Sequence, residues 1–207
     1  MKELKKVQSA IASCRVCPQM VGPPVHGRAI LSPVFLLGQA PGPREAALGR
    51  PFAYTAGKTL FRWFEQAYGI SEAQFRERVY IAAVARCFPG KGSGGGDRVP
   101  NSLEIANCGH HLKRELAILQ PQLIVPVGKL AIAQVLGPKI FRAGMLLTDV
   151  VGIKFNIEFH SQKMEAICLP HPSGLSSWHK KEPGKTLLMQ SLQLMGVQPA
   201  WREAFRS

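Results

Sequence analysis

Four cysteines and one loop carry most of the chemistry this chain could do. Cys14 and Cys17 are two residues apart, a spacing that lets two thiolates grip one metal centre. Cys87 follows an apolar run and Cys108 falls in the helical stretch after it, so the four thiols could close a single site. Four-thiolate sites hold zinc or an iron–sulfur cluster, and spacing alone does not separate the two. The fifth cysteine, Cys168, sits inside an apolar run and reads as a small buried hydrophobe. The loop begins where Val34–Leu37 runs into Gly38, Pro41 and Gly42, and it ends at Pro51-Phe52. Glycine and proline end the strand abruptly. Ligands of open α/β sheets bind beyond the carboxyl ends of the strands, so Phe52 offers an aromatic face near such a mouth. His171 stands at the end of another apolar run and is placed for chemistry at the same edge.

The elements that must position these residues follow from periodicity. Residues 3–13 read as a short helix and 33–38 as the first strand. Thr59–Tyr68 has apolar residues at helical spacing and closes on Gly69; its stripe of Phe61, Trp63 and Phe64 reads as core. Val79–Ala85 is a second buried strand, and a helix with Ser102 as its N-cap runs to about Leu119. Leu123–Gly128 is a third strand, followed by a helix over about 129–136. Residues 149–159 are read as an edge hairpin with Ala166–Leu169, the fourth core strand, which leads into Pro170-His171-Pro172-Ser173. A last helix covers roughly 183–195. Strands alternating with helices imply a parallel sheet covered on both faces, within one domain spanning 1–207.

Lys plus Arg number 26 against 13 Asp plus Glu, a formal net charge of +13 that favours polyanionic partners. No lysine tail accounts for the excess. The loop Gly90–Arg98 is glycine-rich but lacks the spacing of a P-loop; it is expected to be mobile, with Lys91 and Arg98 able to meet phosphate. No apolar run is long enough to cross a membrane, and the first residues lack a secretory signal. A cytoplasmic protein with reduced thiols is expected.

Three blocks resemble the uracil-DNA glycosylase superfamily, in particular its iron–sulfur families 4 and 5. They are Gly38-Gln-Ala-Pro-Gly42 with Glu45 and Gly49-Arg-Pro-Phe52; Ala82-Ala-Val-Ala-Arg-Cys87; and His171-Pro-Ser-Gly-Leu-Ser176. The resemblance spans residues 14 to about 180. It implies a three-layer α/β/α sandwich around a short, mainly parallel four-stranded sheet. It also implies a 4Fe–4S cluster held by Cys14, Cys17, Cys87 and Cys108, in preference to zinc. The cluster would arrange DNA-contacting loops rather than do chemistry. Base excision repair by a monomer acting on DNA in a prokaryotic cytoplasm, at the nucleoid, is the expected setting.

A glycosylase of this kind takes the target base out of the stack and hydrolyses its bond to deoxyribose. By resemblance, Phe52 is the stacking face and Leu175 the wedge that enters the vacated stack. His171 donates a hydrogen bond to the departing base. Gln39, Ala40 and Ala83 line the base site, and Ser173 and Lys180, with Lys181, face the DNA backbone. Ala40 stands where the best-known uracil enzymes carry Asp, Gln39 where family 4 carries Glu, and Ala83 where many members carry an Asn that reads the base edge. Family 5 shares that Ala. A site without this amide discriminates less between bases, so the expected range covers uracil and extends to hypoxanthine or oxidised pyrimidines. Gln39 could orient water but is no base; Glu45 and Asp97 are the remaining carboxylates. Rival readings are an inactive lesion-binding protein of the same fold, a zinc-stabilised RNA-binding protein, and an enzyme of free nucleosides, which the charge fits poorly.

Overall fold

Alternation of apolar residues on both faces of short strands determines the architecture. The computed structural model describes residues 1–174 and 176–206. Five strands, β1 (Val34–Gly38), β2 (Tyr80–Ala83), β3 (Leu123–Pro126), β4 (Lys154–Phe159) and β5 (Gln162–Ile167), lie in the order β2-β1-β3-β5-β4. All neighbours are parallel except β4, which pairs antiparallel with β5 along the whole hairpin. The sheet therefore has one strand more than the four expected. The weakly alternating stretch before β5 is a full edge strand, because its exposed Lys154 and Glu158 suit an outer position.

Among the described residues the α-helices are α1 (Lys2–Ala12), α2 (Glu45–Leu48), α3 (Thr55–Tyr68), α4 (Glu72–Arg78), α5 (Ser102–Leu119), α6 (Lys129–Ile140), α7 (Gly184–Gly196) and α8 (Pro199–Ala204). In β1, Phe35 and Leu37 point into a core shared with α1, α5 and α6. Val34 and Leu36 point into the opposite core, shared with α3, α4, α7 and α8. That two-residue period, with apolar packing on each side, makes a three-layer sandwich. Helix α6 is regular to Leu136 and kinks at Gly137-Pro138. The N-cap of α5 is Asn101, not Ser102: the Asn101 side chain accepts from the Glu104 N–H at 2.9 Å, and Glu104 accepts from the Asn101 N–H at 2.8 Å. The reciprocal pair outcompetes a lone serine one residue later.

The second core is aromatic. Phe64 is fully buried, stacks on Phe75 at 4.4 Å between centroids, and meets Trp201 at 5.7 Å. Phe64→Ala is expected to lower the unfolding free energy by about 3–5 kcal/mol, measured by chemical denaturation. A loss below about 1 kcal/mol would contradict this packing account.

Candidate active site and thiol cluster

The carboxyl ends of β1 and β2 and the segment beyond β5 open into one cavity of about 630 Å³. Gln39, Ala40, Phe52, Ala83, His171 and Ser173 all line it, so six of the residues picked out by sequence share one place. Ala83 is buried in its floor and offers only a methyl group. Lys180 and Lys181 are exposed at and just after the short 3-10 turn Trp178–Lys180. Leu175 lies outside the described residues.

His171 reaches the cavity because β5 is prolonged past its last ladder pair. Val127 and Leu169 form a parallel bridge, and the Gly128 N–H donates to the Leu169 carbonyl at 2.9 Å. Gly128 is required there: its φ is +88°, and a Cβ would come within 2.9 Å of the His171 ring. The Ser173 N–H donates to His171 Nδ1 at 3.2 Å. Nδ1 is thus the acceptor, and in the neutral ring Nε2 carries the proton. Burial lowers the pKa of this histidine, with the Asp97 carboxylate opposing the shift. The half-buried ring resists charging, so as pH falls the unfolded chain takes up this proton first.

Phe52 has a backbone φ of +53°, a left-handed conformation that an aromatic residue rarely adopts. Its ring lies against β1: a Cβ on Gly38 would meet the ring at 2.8 Å. Glu45, buried in α2, accepts from the Gly42 N–H at 3.2 Å and the Ala53 N–H at 3.0 Å, stapling both ends of the loop. Its burial raises its pKa. Those bonds commit both oxygens to the backbone, so Glu45 shapes the loop. Asp97 is the cavity's exposed carboxylate, paired with Lys91 at 2.6 Å.

The Gly90–Arg98 loop is a closed turn, with a bridge between Lys91 and Asp97. Arg98 is turned inward and grips both Glu104 oxygens, at 2.6 and 2.7 Å. It is therefore not presented to phosphate as the composition suggested, because the Glu104 carboxylate at the start of α5 captures it. Sequence inspection also missed Arg44 and Tyr54, which stack at the cavity rim with 4.7 Å between guanidinium and ring centroid.

Three of the thiols, those of Cys17, Cys87 and the buried Cys108, pack together with Met20 and with Ala40 of the cavity lining, while Cys14 follows the end of α1. Burial, and then the charges of Cys108, Cys14 and Cys17, push the Cys87 thiol up to about 11. Asn107 Nδ2 donates to Cys17 Sγ at 3.6 Å, and the Arg86 backbone N–H donates to Cys108. Arg86 is 2 % exposed and ion-paired with the buried Glu115, yet its Nε and Nη1 have no hydrogen-bond partner among the described residues. Paired thiols with a buried guanidinium alongside suit a centre that carries net negative charge. Among the described residues, no three His, Cys, Asp or Glu side chains are grouped to hold a single metal ion. Cys168 is fully buried elsewhere in the core, and burial pushes its thiol up to about 12.

Nitrogen-15 NMR should find His171 more than half neutral at pH 6.5, with the neutral ring protonated at Nε2 and the midpoint of proton uptake below that of an ordinary histidine. A ring already half-charged at pH 6.5 or above would contradict the burial argument.

The sequence matches the model of the uracil DNA glycosylase superfamily over residues 24–193, a range that leaves out Cys14 and Cys17. It is 30% identical to the type-4 uracil-DNA glycosylase of Archaeoglobus fulgidus over 179 residues, covering 84% of each chain. The corresponding protein of Pyrobaculum aerophilum is 28% identical over 177 residues, again 84% of each. That of Sulfurisphaera tokodaii is 31% identical over 132 residues, 62% of this chain and 56% of that protein. This chain belongs to the uracil-DNA glycosylase superfamily.

Proposed function

We propose that this protein is a DNA glycosylase that takes uracil out of the DNA stack and hydrolyses its bond to deoxyribose. The observation that carries this reading is the meeting of Phe52 and His171 in one cavity at the carboxyl edge of the sheet. The names of its relatives, type-4 uracil-DNA glycosylases, point the same way.

The extruded base stacks on Phe52, a contact worth about 1–3 kcal/mol for a base on an aromatic face. That offsets the few kcal/mol of unstacking. As the glycosidic bond breaks, the electron pair goes to the base and positive charge grows on the sugar. His171 donates its Nε2 proton as a hydrogen bond to the base oxygen where negative charge collects. A neutral donor suits this role, because it stabilises the anion without having to give up a proton. Water then adds its hydroxide to the sugar carbon and its proton goes to the base. Gln39 orients that water. Ser173 and Lys180 contact the backbone of the DNA. Ala83 offers no hydrogen-bonding group to the base edge, so selection rests on shape, and the 630 Å³ cavity admits a base as large as hypoxanthine.

The four thiols are proposed to hold a 4Fe–4S cluster. When bound, that group supplies no step of the hydrolysis and instead ties neighbouring loops together. The chain between Cys17 and Val21 is already tethered there, through the Val21–Phe88 bridge and an Arg98 contact to the Gln19 carbonyl at 3.4 Å.

A labelled oligonucleotide with one deoxyuridine should be converted to an abasic site, and His171→Ala should slow the conversion by about 10²–10³. Binding without release of uracil or hypoxanthine would replace the enzyme reading with that of a lesion-binding protein. Separately, protein purified without oxygen should contain iron and sulfide, absorb broadly in the visible, and lose both with Cys87→Ser. A colourless, zinc-loaded protein would overturn the cluster assignment.

A further inference from the structure

Arg76 lies in α4, far along the chain from the cavity loop, and it is buried to 8% exposure. Its charged neighbour on the same helix, Arg78, points to solvent. The Arg76 guanidinium lies over the Phe61 ring, 4.5 Å from its centroid. Nε donates to Glu72 at 2.8 Å, which orients the planar head. The two terminal nitrogens then donate to consecutive backbone carbonyls, Nη1 to Pro51 at 2.9 Å and Nη2 to Phe52 at 2.8 Å. Arginine suits this position because its fork is rigid and planar, whereas lysine would offer a single point of contact.

The gripped carbonyls belong to the peptide units on either side of the Phe52 φ of +53°. The space around them is closed on other sides too. A Cβ on Gly57 would sit 1.7 Å from the Phe52 carbonyl oxygen, so the first turn of α3 packs directly on this peptide. Glu45 holds the next N–H, that of Ala53. An unfavoured backbone conformation persists only when its surroundings over-determine it, and here they do.

We propose that Arg76 is a positioning residue that acts through Phe52: its fork on the Pro51 and Phe52 carbonyls holds the left-handed backbone and so aims the aromatic ring into the base cavity. The inference rests on the reading of Phe52 as the stacking face. Arg76 itself touches no substrate. With the fork removed, the Phe52 backbone relaxes toward negative φ and the ring leaves its place against Gly38.

The test is a double-mutant cycle on the full-length protein. Single-turnover excision of uracil is measured for wild type, Arg76→Gln, Phe52→Ala and the double variant, with thermal unfolding of each. Arg76→Gln should slow excision by about 10², the scale of a 1 Å misplacement, yet leave the rate nearly unchanged in the Phe52→Ala background. Its cost in melting temperature should be similar in both backgrounds. Equal slowing in both would overturn the inference and make Arg76 merely structural. So would unchanged excision by Arg76→Gln when Phe52→Ala is slow. If Phe52→Ala itself excises at the wild-type rate, the stacking reading fails and the inference falls with it. Should Arg76→Gln not fold, Arg76→Lys, which keeps the charge and loses the fork, enters the same cycle with the same expectations.

Discussion

A parallel sheet covered by helices on both faces leaves only its strand ends for polar chemistry. That constraint organises this molecule. The residues of β1 are buried without exception, and so are those of β2 and β3. Three groups at the proposed base pocket therefore come from segments just past a strand: Gln39 and Ala40 after β1, and His171 after β5. Phe52 is reached only by a longer excursion that folds back onto β1. The apolar sandwich provides rigidity, and the loops inherit it through a few buried polar contacts.

Those contacts are unusually concentrated. A left-handed aromatic residue costs about 1–3 kcal/mol of backbone strain. Hydrogen bonds to a charged group each contribute about 1.5–3 kcal/mol, so the two from Arg76 are enough to hold Phe52 there. Glu45 does for the start of the loop what Arg76 does for its end. Next to Cys87 in the chain, Arg86 forms a fully buried charged pair with Glu115, and the Tyr80 hydroxyl donates to Glu115 at 2.7 Å. Breaking such pairs is costly because the remaining charge stays buried. The structure thus spends its buried charges on the two segments that flank the site.

Much of this was legible in the sequence. The apolar runs of β1, β2 and β3 reveal themselves because buried parallel strands are continuous hydrophobic stretches. The cavity loop is marked by Gly38, Pro41 and Gly42, whose backbone demands are local. The pairing of Phe52 with His171, 119 positions apart in the chain, was legible only through the family motifs. Arg76 left no signal: in Glu72–Arg78 it reads as one more charge on a short amphipathic helix, and only tertiary packing turns it inward. Arg98 misled for the opposite reason. An arginine beside a glycine-rich turn suggests a phosphate contact until Glu104 is seen to take both of its terminal nitrogens. The outer strand β4 was underread because an edge strand with exposed charges lacks the apolar continuity of its neighbours.

The central claim is that Phe52 and His171 hold one base between them. A crystal structure of the protein with DNA containing a 2′-fluorinated, cleavage-resistant deoxyuridine tests it most directly. The account predicts the uracil ring stacked on Phe52, with a base oxygen about 2.7–3.2 Å from His171 Nε2. A base left in the helix, or seated away from either side chain, would contradict it.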